Sequence, residues 1–459
     1  MKREKLGSRL GFILLSAGCA IGIGNVWKFP YICGEYGGGF FVLIYLLFLL
    51  IMGVPAMTME FAVGRAAQKS PAKIYTELEK KGQKWHWHSF LAVAGNYLLM
   101  MFYTVVAGWM IQYFISMAKG NFTGLDANQI GTYFNDVLAN PITLLIYTYI
   151  VIIIGFAVCS GGVQKSLEKT TKYMMLALLA IMVILAINSI FLEGGSEGLK
   201  FYLVPSIDKI KEVGIFKVIV AAMNQSFFTL SIGIGSMAIF GSYLNKDRSL
   251  LGESLNIAVL DTFVAIASGL IIFPACFAYG IQPDSGPPLI FITLPNVFNH
   301  LPFGQFWGSL FFIFLSFAAL STVFAVFENI ISCTMDITNW SRKKACLINC
   351  IAMFILTLPC IFGFNILSNF QPLGAGSNIL DLEDFIVSNI LLPLGSLIFI
   401  LFCTCRWGWG WKNFTEEANQ GKGLKIAKWM RIYMTYILPT IVFVLLVIGI
   451  LSKFGIINV

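Results

Sequence analysis

Long apolar segments recur along the whole chain, and they constrain its fold more than any other feature. Eleven such spans lie near residues 10–32, 38–63, 88–118, 141–159, 172–192, 215–241, 253–280, 303–335, 345–366, 381–404 and 430–452. Each is long enough to cross the hydrocarbon core of a bilayer as an α-helix. Only 12% of the 459 residues are charged, compared with about a quarter in soluble domains. The sequence therefore predicts an all-α integral membrane protein with 11 transmembrane helices.

The basic residues predict how these helices are oriented. Of the 31 Lys and Arg residues, 24 lie in residues 2–9 and in every second loop that follows. The positive-inside rule assigns these segments to the cytoplasm, with the N-terminus inside and, after an odd number of spans, the C-terminus outside. We expect a multi-pass protein of the cell (plasma or inner) membrane whose partner is the lipid bilayer. The net charge of +8 is spread over these loops, so we expect no nucleic acid partner, and no obligate protein partner is evident.

Glycines interrupt the first span. The stretch Gly18–Asn25 contains three glycines, and each costs an α-helix roughly 1 kcal/mol relative to Ala. A broken helix exposes peptide groups that lipid cannot satisfy. Taken alone, Gly18 and Gly22 could be a small-residue face for helix packing. However, the Ile-Gly-Ile-Gly of residues 21–24 recurs within 231–236, and two interrupted spans in corresponding halves indicate the binding site of a transporter.

The two interrupted spans divide the chain. Each begins a set of five spans, and an odd number per set predicts a 5+5 inverted repeat with broken helices 1 and 6. We assign residues 1–192 to the first repeat, 193–404 to the second, and 405–459 to a cytoplasmic loop and one peripheral helix, helix 11. Alternating access follows from rocking of one bundle against the rest. The apolar, proline-containing loop 281–302 is predicted to be a lid.

Polar residues inside the apolar spans are the candidates for binding. Asn25 and Thr229 lie at the two breaks, Asp261 lies within the seventh span, and the adjacent Ser321 and Thr322 lie within the eighth. A lone Ser or Thr usually bonds its own backbone. An unpaired Asp at membrane depth costs at least about 2.5 kcal/mol, so it needs a cation or a proton. Oxygen ligands without His or Cys suit a hard cation, and helix N-termini in a break favour a carboxylate. The carboxylate of a zwitterionic amino acid can contact both the cation and a helix N-terminus in the break.

Four motifs resemble those of a known family. They are Trp27-Lys28-Phe29-Pro30-Tyr31, Tyr36-Gly37-Gly38-Gly39-Phe40-Phe41, Glu60-Phe61-Ala62-Val63-Gly64-Arg65 and Phe227-Phe228-Thr229-Leu230-Ser231. Together they look like the signature of the neurotransmitter:sodium symporters, and the resemblance covers essentially the whole chain. Its size, short tails and eleven spans are similar to those of the bacterial amino-acid transporter branch. The resemblance implies the LeuT-type fold without the family's usual twelfth span.

The same resemblance implies two Na+ sites and one amino-acid site. One sodium would meet the substrate carboxylate together with Ala20, Asn25, Thr229 and Asp261. The other would meet the carbonyls of Gly18, Ile21 and Ala318 and the hydroxyls of Ser321 and Thr322. The substrate's main-chain groups would contact Ala20, Ile23, Gly24, Tyr103, Phe228, Thr229 and Ser231, and its side chain would contact Leu99, Phe228, Ile234, Thr322 and Val326. Tyr103 and Phe228 would cover the substrate, Lys28 and Asp384 would form an outer ion pair, and Arg3 and Asp336 an inner one.

Several residues depart from the family pattern, and they change what we expect of the outer ion pair, the substrate and the chloride requirement. Lys28 replaces the usual Arg, which predicts a weaker outer pair. Gly22 stands where monoamine carriers have Asp, which favours an amino acid over an amine. Asp261 and Ala265 stand where chloride-dependent members have Asn and Ser, so we expect no chloride requirement.

The fifth helix also departs from the pattern. Bacterial relatives often have a Gly and a Pro ten residues apart there, and this chain has Ser166 and Leu176. We therefore expect the inner path to open by a route other than unwinding of that helix.

These observations predict a sodium-driven symporter for neutral, hydrophobic or aromatic L-amino acids. The chain lacks the residues of an intramembrane enzyme, because its three histidines, His86, His88 and His300, lie in predicted loops or, for His88, at the first residue of a predicted span. The Cys403-x-Cys405 pair is the nearest approach to a metal motif. A channel and a sensor without transport remain alternatives, and counterflow of labelled substrate distinguishes a carrier from both.

Overall fold

A computed structural model describes residues 4–280 and 288–453, which form helices and connecting turns. Within these described residues, nine helices are long and apolar enough to cross a membrane. They are Gly39–Ala67, Trp87–Ala118, Pro141–Ser160, Val163–Ile190, Leu250–Ala278, Gly304–Thr338, Arg342–Phe362, Ile379–Thr404 and Met430–Ser452. Each coincides with one of the eleven predicted spans. The two remaining predicted spans, the first and the sixth, are the ones that contain the glycine motifs.

The first predicted span is bent at its glycines. Arg9–Ala20 and Gly24–Glu35 meet at an angle of 55°, and the pair has the length and composition of one further span. The sixth consists of Ile215–Thr229 and Ser236–Ser242, separated by residues 230–235. Ile215–Thr229 alone is shorter than the nine spanning helices. We call residues 21–23 the first break and residues 230–235 the second break.

Positive backbone angles explain why the second break needs glycine. Ser231, Gly233 and Gly235 have φ values of 50°, 105° and 81°, in the region that favours glycine. A Cβ atom at Gly233 would lie 2.2 Å from the carbonyl oxygen of Leu392. The chain therefore approaches the helix Ile379–Thr404 too closely for a side chain at this position.

Shorter helices occupy several predicted loops. They are Ile74–Leu78, Ala127–Ala139, Gly195–Leu203, Ile207–Val213, Leu294–His300 and Trp411–Ala418. The outer loop 194–214 thus contains two helices. The predicted lid 281–302 contains Leu294–His300, and its residues 281–287 lie outside the described residues. Several helices include a π-helical turn, at Gly24–Lys28, Leu49–Gly53, Val163–Glu168, Leu289–Thr293, Ile386–Leu391 and Tyr433–Ile437.

One predicted boundary is wrong by about two turns. The span expected to begin near residue 172 begins at Val163, so the three lysines assigned to the preceding loop lie in the first turns of the helix. Hydropathy treats these polar turns as a loop. They are nevertheless helical, and Glu168 within them accepts the N–H groups of Gly7 (2.7 Å) and Ser8 (3.1 Å), which connects them to the beginning of Arg9–Ala20.

The helix Gly304–Thr338 lies at the centre of the bundle. It packs against Arg9–Ala20, Trp87–Ala118 and Val163–Ile190, and it also contacts Ser236–Ser242. The helix Leu250–Ala278 packs on Arg9–Ala20 and on the π-helical turn Gly24–Lys28. These two helices therefore bring the side chains of the seventh and eighth predicted spans next to the breaks.

Candidate functional site

A buried carboxylate joins the two broken helices. The Asn25 amide donates to Asp261 Oδ1 (2.8 Å) and to the Asp261 carbonyl oxygen (3.1 Å), and the Thr229 hydroxyl donates to Asp261 Oδ2 (3.1 Å). Asp261 is completely buried, and these partners are neutral. A carboxylate surrounded by neutral donors in an apolar core remains uncompensated in charge. This cluster can therefore accommodate a small hard cation.

A second oxygen cluster lies where Arg9–Ala20 ends. Ser321 Oγ lies within hydrogen-bond distance of the carbonyl oxygens of Ile21 (3.1 Å) and Ala318 (2.8 Å). Thr322 Oγ1 lies 3.3 Å from the carbonyl oxygens of both Gly18 and Cys19. The last carbonyls of a helix have no partner within that helix. The structure thus brings together all five residues predicted for the second sodium ion.

A small cavity lies between the two breaks. Its volume is about 20 Å³, and its walls are Cys19, Ala20, Gly22, Gly24, Leu99, Tyr103, Phe228, Ser231, Thr322 and Leu392. None of these side chains is charged. Ile234 and Val326, predicted to contact the substrate side chain, are buried but do not line this cavity. Two lining residues, Cys19 and Leu392, were not predicted.

The packing of Gly395 explains why Leu392 reaches this cavity. A Cβ atom at Gly395 would lie 1.9 Å from the Gly233 carbonyl oxygen, so this turn of the helix Ile379–Thr404 packs directly on the second break. A glycine in an apolar helix was the only sequence signal of this contact, and it does not identify the partner.

The remaining predicted contacts involve the breaks themselves. The Tyr103 hydroxyl accepts the Ile23 N–H (3.0 Å), and the Ser231 hydroxyl donates to the Cys19 carbonyl (3.2 Å). A Cβ atom at Gly22 would lie 2.3 Å from the Tyr103 hydroxyl oxygen and 2.4 Å from Thr322 Oγ1. Gly22 is thus required by close packing as well as by space for a ligand.

Tyr103 and Phe228 separate this cavity from a larger one. Both also line a cavity of about 150 Å³ that extends to Lys28 and Asp384. Lys28 Nζ lies 3.4 Å from Asp384 Oδ2 and 3.9 Å from the centre of the Phe228 ring. Ser388 donates to Asp384 Oδ1 (2.7 Å). The lysine therefore contacts both the predicted outer partner and the predicted cover, through a single nitrogen atom.

The structure describes one of the two residues of the predicted inner ion pair, Asp336. Asp336 Oδ2 accepts the Ser70 N–H (2.7 Å), and Arg3 lies outside the described residues. The sequence did not predict a further ion pair, which Arg342 and Glu328 form at 2.6 Å. Glu328 was visible as a carboxylate in an apolar span, but its partner is on the next helix.

Glu60 is a further residue whose role the sequence did not reveal. Its carboxylate accepts the N–H groups of Gly233 (2.9 Å), Met237 (3.0 Å) and Ala238 (3.4 Å). It thereby satisfies peptide groups freed by the second break and those at the N-terminus of Ser236–Ser242. The signal was a carboxylate in the second apolar span.

Comparison with known proteins identifies relatives over the whole length. The profile of the "Sodium:neurotransmitter symporter family" matches residues 3–135 and 135–455. The uncharacterized sodium-dependent transporter YhdH of Bacillus subtilis is 35% identical over 87% of both chains. An uncharacterized sodium-dependent transporter of Haemophilus influenzae is 30% identical over 99% of both.

A solved structure matches as well. The crystal structure of MhsT in complex with L-phenylalanine superposes with a TM-score of 0.86 and is 36% identical in sequence, covering 98% of this chain and 100% of that one. The Bacillus subtilis and Haemophilus influenzae relatives are named as sodium-dependent transporters, which confirms the prediction of a transporter rather than an enzyme. The chain belongs to the sodium:neurotransmitter symporter family and is a multi-pass, sodium-dependent membrane transporter.

Proposed function

We propose that this chain is a sodium-coupled, chloride-independent symporter that imports neutral hydrophobic or aromatic L-amino acids by alternating access. The observation that carries the proposal is the convergence of Asn25, Thr229 and Asp261 at two broken helices, beside a cavity without charged walls. Sodium is a co-substrate here, and the site's oxygen-only donors suit it.

Two sodium ions are proposed to bind. The first uses the Asp261 cluster with the Ala20 carbonyl, and the substrate carboxylate completes its ligands. The second uses the Ser321 and Thr322 hydroxyls with the carbonyls at the end of Arg9–Ala20. Because the substrate supplies a ligand to the first ion, sodium and substrate raise each other's affinity by the same factor.

The cavity supports a neutral amino acid as substrate. Its walls carry no charge that would pair with an acidic or basic side chain, whereas Leu99, Phe228 and Leu392 offer apolar surface. Its volume of about 20 Å³ means that these walls must move apart to admit a side chain. MhsT, which is similar over nearly the whole chain, has been crystallised with L-phenylalanine, and this favours an aromatic substrate over a branched one.

Chloride independence is inferred from Asp261. A fixed carboxylate beside the sodium supplies the negative charge that a mobile chloride ion supplies elsewhere in the family, and Ala265 offers no hydroxyl to bind one. We propose that Asp261 remains ionised when sodium is bound.

Alternating access is proposed to use the 5+5 inverted repeat, residues 1–192 and 193–404, in the plasma or inner membrane with the N-terminus in the cytoplasm and the C-terminus outside. Tyr103 and Phe228 close the site toward the cavity that contains Lys28 and Asp384. Arg3 and Asp336 are proposed to form the inner closure.

Uptake into proteoliposomes tests this function. A panel of neutral L-amino acids is offered to vesicles under an inward sodium gradient, without that gradient, and with chloride replaced by gluconate. Sodium-driven accumulation that is independent of chloride, together with counterflow of labelled substrate, is the expected result. Uptake without sodium, or only with chloride, would contradict the proposal, and absence of counterflow would favour a channel or a sensor.

A further inference from the structure

Two buried asparagines lie one helical turn beyond the residues proposed to surround the substrate side chain. Asn96 is three residues before Leu99 in the helix Trp87–Ala118, and Asn329 is three residues after Val326 in Gly304–Thr338. Residues three apart share a helix face. The exposed fractions of the two asparagines are 1% and 0%. Asn96 therefore lies one turn from Leu99, which lines the small cavity, and Asn329 lies one turn from Val326, which the family resemblance assigns to the side-chain pocket.

Both amides bind the same peptide carbonyl. Asn96 Nδ2 donates to the Ile234 oxygen (2.8 Å) and to the Ala92 oxygen (2.6 Å). Asn329 Nδ2 donates to Asn96 Oδ1 (2.9 Å) and to the Ile234 oxygen (3.4 Å). An amide nitrogen has two hydrogens, so all four are used. This pair is suited to holding the backbone and has no donor left for a ligand.

Ile234 lies in the second break, where helical hydrogen bonds are missing. Gly233 and Gly235 on either side of it have positive φ. A buried carbonyl without a donor is costly, and lipid offers none. Glu60 accepts a hydrogen bond from the Gly233 N–H, and the two asparagines donate hydrogen bonds to the Ile234 carbonyl. The break is thus fixed from both sides.

The Ile234 side chain depends on this anchoring. Its Cγ2 atom lies 3.0 Å from the position that a Cβ atom on Gly95 would occupy, so it rests closely on the backbone of Trp87–Ala118. If the carbonyl were released, the side chain could move relative to the pocket. The two sodium clusters have no hydrogen bond to either asparagine.

We propose that Asn96 and Asn329 are positioning residues that set the depth of the side-chain pocket, and with it the preference between large and small amino acids. The inference rests on the proposed transport of neutral amino acids. It assigns the preference to a polar layer that does not touch the substrate.

The test compares L-phenylalanine and L-valine uptake by wild type and Asn329→Leu in proteoliposomes. The ratio of Vmax/KM for the two amino acids is expected to change by about tenfold, because the Ile234 carbonyl loses one of its two buried hydrogen bonds and Asn96 loses its bond from Asn329. The sodium concentration for half-maximal uptake is expected to stay within about twofold, because the sodium clusters are untouched. Asn329→Ala and Asn96→Ala provide the same readout if the leucine variant does not fold.

Asn349→Leu is the matched control. Asn349 is also buried, and its amide nitrogen donates to Thr334 Oγ1 (3.0 Å) and the Ala345 oxygen (2.8 Å), away from the second break. This variant should lower the melting temperature and leave the substrate ratio unchanged. The inference is overturned if the variants at Asn96 and Asn329 behave like this control. Absence of sodium-driven uptake of either amino acid by the wild type would instead refute the proposed function, and the inference with it.

Discussion

Replacing Asp261 by Asn tests the proposed sodium site at its only charged side chain. The asparagine side chain has nearly the same shape as the aspartate side chain. The amide oxygen can still accept the hydrogen bond from Asn25, and the Thr229 hydroxyl can rotate to accept from the new amide nitrogen. The geometry should therefore survive, and the loss of one negative charge is isolated.

The expected effect follows from Coulomb's law. Opposite unit charges about 4 Å apart attract by ~4 kcal/mol at an effective dielectric constant of 20. This is an upper bound, because the amide oxygen still coordinates. Since 1.4 kcal/mol corresponds to a factor of ten, we expect sodium affinity to fall by roughly tenfold to a thousandfold.

Equilibrium binding of labelled phenylalanine across a sodium titration measures this affinity, and uptake in chloride or gluconate measures the anion requirement. The variant should lose sodium affinity or gain a chloride requirement, and the absence of a hydroxyl at Ala265 favours the first outcome. Asp384→Asn is the matched control, because it makes the same change at a carboxylate outside both sodium clusters. A variant with near-normal sodium affinity and no response to chloride would refute the role of Asp261.

Three further variants test other parts of the account. Gly22→Ala should weaken phenylalanine binding at least about tenfold, because its Cβ would lie 2.3 Å from the Tyr103 hydroxyl oxygen; unchanged affinity would contradict the packing argument. Ser321→Ala should raise the sodium concentration for half-maximal uptake about tenfold through loss of one oxygen ligand, and a change below about twofold would exclude Ser321 as a ligand. Lys28→Arg should lower the maximal uptake rate about twofold to tenfold, because a guanidinium can bind Asp384 through two nitrogens; a faster variant would show that this pair does not limit opening.

The sequence predicted the structural features that are determined within a single segment of the chain. Nine spanning helices are visible as apolar runs, and the first bend lies at the glycines that predicted it. The cluster around Asp261 was also foreseeable, because an intramembrane carboxylate requires partners and few polar residues were available in the apolar spans.

The sequence did not reveal contacts that depend on how helices pack. The place of Leu392 in the cavity follows from the packing of Gly395 on the second break, and Glu60 meets peptide groups more than 170 residues away. Hydropathy also misplaced the beginning of Val163–Ile190, because its first turns are polar and are held by Glu168. Periodicity within one segment contains no information about its neighbours.

We propose that the substrate's carboxylate completes a sodium site, and thermodynamic linkage between substrate and sodium binding measures this contribution directly. The binding of L-phenylalanine and of its decarboxylated analogue phenethylamine is titrated in detergent at increasing sodium. Sodium should raise phenylalanine affinity, phenylalanine should raise sodium affinity by the same factor, and phenethylamine should show neither effect. Phenylalanine binding that is independent of sodium, or equal enhancement of the amine, would contradict the account.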